Sequence, residues 1–372
     1  MTRIIVLFAI CFLAVSDISV FGQFSANGTP YNDDDEKSET KYSEVVQTGW
    51  SETFRENLKK AMSGDVEAQY ETGRAYKYGI GVERSTSEAF NWLKAAALKE
   101  HVQACVELGD MFEDSSGIER NYEEAFKWYK IAADKGSAYA TACMARLYYF
   151  GLGVRQDFQK ALMYNKIAAE NGDKYGQQAL AVMYYVGDGT KQDYAAAAKW
   201  FAKAAEQGIA SSQYWLSIMY FNGYGVKEDV SKASDYLYRS ANNGYADAQY
   251  RAGYTIEYSY DDDDSMRTAA KWYEKAASQG HVDASFKLGK MYCEGRGVRQ
   301  DYGECLKWIE FAADNENTEA QYMLALMYVS GTAGVSNRKE AIRLLEQVVE
   351  TGLGSDARDR EASDLLESLK NR

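Results

Sequence analysis

The pentapeptide Gly153-Val-Arg-Gln-Asp157 recurs as residues 297–301, 144 positions further along the chain. Segments centred on a large side chain recur along the chain and show that 144 positions are four steps of 36 residues. Their central residues are Trp92, Trp128, Tyr164, Trp200, Tyr236, Trp272, Trp308 and Leu344. Eight units of this period fill residues 65–352 without an insertion or a deletion. This regularity predicts one repeat array rather than several globular domains.

Each unit has the pattern of two helices joined by glycine turns. One column of residues can cap the start of a helix, because its side chains accept a hydrogen bond from the first free backbone amides. Its members are Ser85, Asn121, Asp157, Asp193, Asp229, Ser265, Asp301 and Asn337. No proline follows Pro30, so no helix of the array is interrupted in the way that proline causes. The pattern predicts an all-α solenoid of eight 36-residue helix-turn-helix repeats.

The segments outside the array differ from it in composition. Residues 1–22 contain Arg3 and then twelve apolar residues, a run too short to span a bilayer, which predicts a secretory signal peptide. Residues 23–50 carry an acidic run and few large apolar side chains, which predicts a disordered acidic linker. Residues 51–64 and 353–372 are predicted to form single capping helices. We therefore expect an exported protein with no membrane span in the mature chain.

Charge and residue types argue against several function classes. The formal net charge is −13, with acidic and basic residues mixed through every repeat, so nucleic acid is not an expected partner. His101 and His281 are the two histidines and lie five repeats apart, which favours turn residues over a joint catalytic or zinc site. The Asp261–Asp264 run lacks the spaced ligands of a calcium loop and is predicted to be a solvated acidic turn. We expect no cofactor, no metal and no enzymatic activity.

Four cysteines follow the predicted signal peptide. Cys293 and Cys305 lie roughly symmetrically about a predicted turn, so a disulfide between them is geometrically reasonable. Two free thiols are the alternative. Cys105 and Cys143 lie on the first helices of adjacent repeats, and the distance between such helix axes favours two buried thiols.

The repeats resemble the SEL-one-like repeat (SLR) family, which is related to tetratricopeptide repeats. The resemblance is carried by Leu288–Val298 followed by Asp301, and by Ala269–Ala277 followed by Gly280. The usual turn proline of the family is missing, and repeat six has no turn glycines. The resemblance implies a right-handed superhelix that acts as a protein–protein interaction adaptor. We expect a periplasmic or secreted location in a bacterial host, which we favour, and the secretory-pathway lumen or the exterior in a eukaryotic one.

The resemblance also implies where a partner binds, because the first helix of each repeat lines the concave side of the superhelix in this family. We predict that the concave face binds a protein or an extended peptide, and that the acidic turn of repeat six favours a ligand with basic residues. Packing alone is the alternative role for the aromatic residues, and a spacer without a groove ligand is a further one. The predicted binding residues are Tyr139, Tyr149, Phe150, Tyr175, Tyr185, Tyr214, Phe221, Tyr250, Tyr254, Tyr258, Asp261, Asp262, Asp263 and Asp264.

A hydrolase acting on the cell wall or on β-lactams is the alternative function that some cysteine-rich relatives imply. Those relatives resemble one another in cysteine pairs eight residues apart that tie one helix to the next. The matching positions here are Ala97 with Cys105, Ala133 with Thr141 and Ala277 with Ser285. Since the pairs are missing, we favour the adaptor.

Overall fold

The computed structural model describes residues 50–114, 117–334 and 336–371, and within them the chain forms 18 α-helices and no β-strand. The predicted signal peptide and all of the predicted linker except Trp50 lie outside the described residues. No helix in the described part is long and apolar enough to cross a membrane. The helices are α1 Glu52–Met62, α2 Val66–Tyr78, α3 Thr86–Ala97, α4 Val102–Asp114, α5 Tyr122–Asp134, α6 Ala138–Phe150, α7 Phe158–Glu170, α8 Lys174–Val186, α9 Tyr194–Glu206, α10 Ala210–Asn222, α11 Val230–Asn242, α12 Ala246–Ser259, α13 Asp263–Ser278, α14 Val282–Glu294, α15 Tyr302–Asp314, α16 Thr318–Ser330, α17 Arg338–Thr351 and α18 Asp356–Lys370.

The described chain forms two compact units. The N-terminal unit contains residues 50–209 and 223–227, and the C-terminal unit contains residues 210–222 and those from 228 onwards. Within each unit, a helix packs mainly against the helices before and after it in the chain. The chain is therefore an all-α solenoid of helix-turn-helix repeats, as predicted.

The caps that start the second helix of each repeat are confirmed in seven repeats. In these repeats the predicted side chain accepts a hydrogen bond from the backbone amide three residues later. In repeat six the prediction of Ser265 is wrong, because Asp262 caps α13 and accepts hydrogen bonds from the Ser265 amide (2.9 Å) and hydroxyl (2.7 Å). The aspartate run supplies an earlier cap. Its carboxylates in the first turn also stabilise the helix, because negative charges interact favourably with the positive end of the helix dipole.

The turn that precedes these caps shows why glycine recurs there. Gly153 has a φ of +64°, and a Cβ at this position would lie 2.4 Å from the carbonyl carbon of Tyr122. Both the backbone conformation and the space therefore require glycine. The equivalent position of repeat six is Asp261, where the chain takes a different path into α13.

Small residues on the first helices receive large side chains from the second helices. The rings of Tyr129 and Tyr273 are fully buried and lie against Gly109 and Gly253, where an added Cβ would be 2.4 Å and 3.0 Å from the ring. Because these two tyrosines are 144 residues apart, they occupy the same position four repeats apart. Each holds its hydroxyl at the side of the repeat that the first helices form.

The cysteines take two different states. Cys293 at the end of α14 forms a disulfide with Cys305 in α15, and their Cα atoms are 5.2 Å apart. Of the two states that the sequence left open, the structure has the disulfide. Cys105 and Cys143 are buried free thiols, as predicted. Burial raises the pKa of the Cys105 thiol to about 11 and also raises that of Cys143, so neither thiol is activated as a nucleophile.

Candidate functional site

We define the first-helix face of each unit as the side formed by the first helices of its repeats. It consists of α2, α4, α6 and α8 in the N-terminal unit and of α10, α12, α14 and α16 in the C-terminal unit. Charged side chains join neighbouring helices across this face. The Lys77 ammonium on α2 binds the Glu107 carboxylate on α4, and Lys287 on α14 donates to Glu257 on α12 at 3.1 Å. Both pairs join residues that are 30 positions apart.

The N-terminal polar network consists of Lys77, Glu107, Asp110, Glu113, Tyr129, Tyr139 and Arg146. The Tyr129 hydroxyl lies 2.7 Å from the Asp110 carboxylate and 3.0 Å from the Glu113 carboxylate. The Arg146 guanidinium binds both oxygens of Glu113, and the Tyr139 hydroxyl donates to Asp110 at 3.2 Å. Each cation of this network therefore has a carboxylate partner within the unit.

The proton count of the N-terminal polar network depends on Asp110. Burial raises the pKa of its carboxyl to about 7, although the Tyr129 hydrogen bond and the charge of Lys77 act in the opposite direction. A tyrosine hydroxyl carries one hydrogen, so Tyr129 cannot donate to two ionised carboxylates at once. A protonated Asp110 can donate to the Tyr129 oxygen while Tyr129 donates to Glu113, which satisfies all three groups.

The C-terminal polar network consists of Glu257, Tyr273, Lys287 and Arg296. Glu257 stands 144 residues after Glu113 and accepts a hydrogen bond from the Tyr273 hydroxyl at 2.6 Å. Burial alone would raise the pKa of Glu257, but the charge of Lys287 and the tyrosine hydrogen bond outweigh it and hold the pKa below its usual value. Arg296 lies 3.8 Å from Glu257. Glu257 is therefore an ionised carboxylate with several donors.

Three tyrosines of α12 form a stripe that leads from the core to the surface. The ring centroids of Tyr250 and Tyr254 are 6.1 Å apart, and those of Tyr254 and Tyr258 are 6.3 Å apart with nearly parallel planes. Tyr250 is buried, Tyr254 is half-buried and Tyr258 is 51% exposed. The Lys287 ammonium lies 5.2 Å from the centre of the Tyr254 ring. The stripe therefore offers an accessible aromatic surface beside charged groups.

The other predicted aromatic residues divide by burial. Tyr149, Tyr214 and Phe221 are buried like Tyr250, so their rings pack within the units and offer little surface to a ligand. The half-buried members are Tyr139, Phe150, Tyr175 and Tyr185. The half-buried residues offer more surface to a partner than the buried ones do. The binding role of all of them stays a prediction.

The acidic turn of repeat six has partners within the chain. Asp261 pairs with Arg296 at 2.6 Å, Asp262 caps α13, and Asp264 pairs with Arg267. All four aspartates are exposed, but the predicted turn is shorter than expected, because Asp263 and Asp264 lie in the first turn of α13. A basic ligand at this turn would compete with two arginines of the protein.

The histidines have structural roles in the turns, as predicted. The Nδ1 atom of His101 accepts the backbone hydrogen of Ala104, and that of His281 accepts the backbone hydrogen of Ala284. Each Nε2 atom lies near a carboxylate of the preceding repeat, at 3.1 Å from Glu67 for His101 and at 3.3 Å from Asp247 for His281. In the described ranges, no group of three or more histidine, cysteine or acidic side chains is arranged to hold a metal ion.

Sequence reasoning missed Arg251 on α12. This arginine is 7% exposed, and its Nη1 atom is buried without a hydrogen-bond partner. The sequence contained a signal, which is the spacing of 30 positions. Lys77 pairs with Glu107 and Glu257 pairs with Lys287 at this spacing, but the residue 30 positions before Arg251 is Phe221. Phenylalanine offers no such partner.

The fold and the first-helix face define a class, the all-α solenoids built from paired helices of fixed length. The family model for the Sel1 repeat matches eight consecutive segments, and the chain belongs to the Sel1 repeat family. The matched residues are 66–101, 102–137, 138–173, 174–209, 210–245, 246–281, 282–317 and 318–347.

Two solved structures show the same fold. A protective antigen of uropathogenic Escherichia coli strains with an SLR fold is 30% identical, with a TM-score of 0.68, and the alignment covers 85% of this chain and 67% of the antigen. A Sel1 repeat protein from Oxalobacter formigenes is 27% identical, with a TM-score of 0.60, and the alignment covers 87% of this chain and 92% of that protein. No protein of curated function matches the chain.

Proposed function

We propose that this chain is an exported scaffold that binds a protein or an extended peptide along its first-helix face. Sel1 repeat proteins are typically protein-interaction scaffolds. The observation that carries the proposal is the tyrosine stripe, in which the exposed Tyr258 stacks on the half-buried Tyr254. Tyrosines that combine a broad apolar ring with a polar tip are common binding hot spots.

Two observations support an exported location. The Cys293–Cys305 disulfide is of a kind that persists in oxidising compartments. The similar Escherichia coli protein is described as a protective antigen, a property that requires contact with the immune system of a host. We propose that this chain is likewise exported by a bacterium, to the periplasm or beyond.

The proposed scaffold acts without catalysis, cofactor or metal, because solenoids of this family typically position other proteins. The acidic turn of repeat six has a minor role in this proposal. A basic ligand at this turn displaces Arg296 from Asp261 or Arg267 from Asp264, so its contribution is small and decreases with salt.

A pull-down from envelope and secreted fractions tests the proposal, with the full chain as bait. The variant carries Tyr254→Ala and Tyr258→Ala together. The matched control is Tyr302→Ala, which removes an exposed tyrosine from the second helix α15. We expect a protein that the wild type and the control retain and the double variant loses, while circular dichroism shows equal helix content. Equal capture by all three baits would show that the stripe does not bind.

A further inference from the structure

Arg251 is a buried cation with an unsatisfied hydrogen-bond donor. Its Nη1 atom is buried without a hydrogen-bond partner in the part of the chain that the structure describes, although the charge of Asp247 one turn earlier acts on the guanidinium. Burying a charged group without a partner is strongly unfavourable. A guanidinium kept in this state on the first-helix face indicates a partner from outside the chain.

The repeat geometry explains why the partner is missing. On this face, a residue near the end of one first helix pairs with a residue 30 positions later on the next first helix, as Lys77 does with Glu107 and Glu257 with Lys287. For Arg251 the corresponding residue on α10 is Phe221, whose side chain has no polar atom.

The carboxylate one turn before Arg251 is engaged elsewhere. Burial raises the pKa of Asp247, but hydrogen bonds from His281 and Tyr245 and the charges of His281 and Arg251 outweigh this and lower it. Asp247 is thus an ionised carboxylate that accepts its hydrogen bonds from the histidine, at 3.3 Å, and from a tyrosine. Its charge also acts on Arg251.

We propose that Arg251 binds a carboxylate of the peptide or protein that occupies the first-helix face. A guanidinium and a carboxylate match in shape and form two parallel hydrogen bonds. Tyr254 and Tyr258, one and two turns further along the same helix, contact the apolar part of the same ligand. The inference rests on the proposed function and adds to it the chemistry that the face recognises.

The surrounding charges select a carboxylate over a phosphate. Asp247, Glu257 and Asp283 all act on Tyr250 or Arg251 at this point of the face, and the chain as a whole is acidic. A dianionic phosphate meets more repulsion here than a monoanionic carboxylate does, and one guanidinium neutralises one negative charge. The carboxylate comes from an acidic side chain or from a chain terminus, which have the same chemistry.

Small probes test the proposal directly on the full chain. N-acetylglutamate α-amide carries a side-chain carboxylate, and N-acetylleucine carries a terminal one. The neutral controls are N-acetylglutamine amide and N-acetylleucine amide, which have no carboxylate. The measurement is the NMR signal of the Arg251 Nε–Hε group, assigned by its loss in Arg251→Gln. We expect a saturable shift with at least one carboxylate probe, and the responding probe identifies the source. The signal of Arg146, which is paired with Glu113, is the internal control and should not move.

Three results would overturn the proposal: no shift with either carboxylate, an equal shift with the neutral amides, or a shift with inorganic phosphate alone. The pull-down separates this failure from failure of the proposed function. We expect Arg251→Gln to reduce capture about tenfold and Arg251→Lys to restore part of it. If the tyrosine double variant loses the partner while Arg251→Gln retains it fully, the scaffold proposal stands and the carboxylate site is wrong. If the double variant retains the partner, the scaffold proposal itself fails at this face.

Discussion

The two polar networks share a buried tyrosine and a glutamate at the same positions of the repeat and surround them with different charged groups. Both have a buried tyrosine that donates to a glutamate, Tyr129 to Glu113 and Tyr273 to Glu257. They differ at the position of Glu107, which is Arg251 four repeats later. Glu107 has Lys77 as its partner, whereas the buried Nη1 atom of Arg251 has no hydrogen-bond partner within the described residues. The comparison teaches that one position of the repeat can complete an ion pair in one unit and leave a buried donor unsatisfied in the other.

The largest expected effect comes from breaking the N-terminal polar network at Glu113. Glu113→Ala leaves the largely buried Arg146 guanidinium without its carboxylate. We expect a loss of about 3–5 kcal/mol in the free energy of unfolding, since removal of one partner of a buried pair leaves an uncompensated charge. Urea denaturation followed by circular dichroism measures this loss.

Glu257→Ala is the matched control at the same repeat position. Lys287 has a side chain that is 24% exposed, and Arg296 retains Asp261 as a partner, so the cations left behind keep some solvation or another carboxylate. We expect a smaller loss, roughly 1–3 kcal/mol. A loss as large as that of Glu113→Ala would contradict the difference between the networks.

The array could be predicted from the sequence because each column of the repeat has one dominant requirement. Gly153 needs a positive φ, and Asp157 needs to accept amide hydrogens, so these residue types mark the turns and helix starts directly. Repeat six was mispredicted at Ser265, since two residues in that turn can cap a helix and the sequence does not rank them. The local signal is ambiguous where two residues satisfy the same requirement.

The site was harder to predict, because the same aromatic residue serves for packing and for binding. Tyr214 and Tyr258 both belong to the aromatic positions of first helices, but the first is buried and the second is exposed. Position along the helix and the neighbouring repeat decide between these outcomes. Arg251 was missed for a related reason, since its state depends on Phe221 on another helix rather than on its own sequence neighbours.

The second expected effect is a pH dependence confined to the N-terminal polar network. The folded-state pKa of Asp110 is raised to about 7, above the ordinary value near 4 in the unfolded chain. The folded state therefore holds this proton more tightly, so the stability that it contributes is complete below about pH 4 and is lost as the pH rises to about 7. We expect a loss of roughly 2–4 kcal/mol across that range in the wild type relative to Asp110→Asn.

Urea denaturation of both proteins at pH 4.5 and pH 8 measures this difference. The comparison with the variant removes the contribution of the other titrating groups. Equal pH dependence in the two proteins would show that Asp110 stays ionised in the folded chain and that Tyr129 shares its hydrogen between two anions.

The third expected effect is a change in the free energy of unfolding that has opposite signs in the two units. Arg251→Met removes a buried guanidinium with an unsatisfied donor, and we expect it to raise the free energy of unfolding by roughly 1–3 kcal/mol. Glu107→Met at the same repeat position leaves Lys77 unpaired, and we expect a loss of similar size. Thermal and urea denaturation of both variants test the signs. A loss of stability in Arg251→Met would mean that the folded chain already neutralises this arginine.

The smallest effect sharpens the comparison at the buried tyrosines. Tyr273→Phe removes one donor from Glu257, which keeps Lys287 at 3.1 Å, so we expect a loss of about 1 kcal/mol. Tyr129→Phe removes the hydroxyl that lies between Asp110 and Glu113, and we expect about twice that loss, because the two carboxyls then face each other without it. Equal losses in urea denaturation would show that Lys287 and Arg296 do not replace the tyrosine at Glu257. In that case the C-terminal network depends on its tyrosine as much as the N-terminal one does.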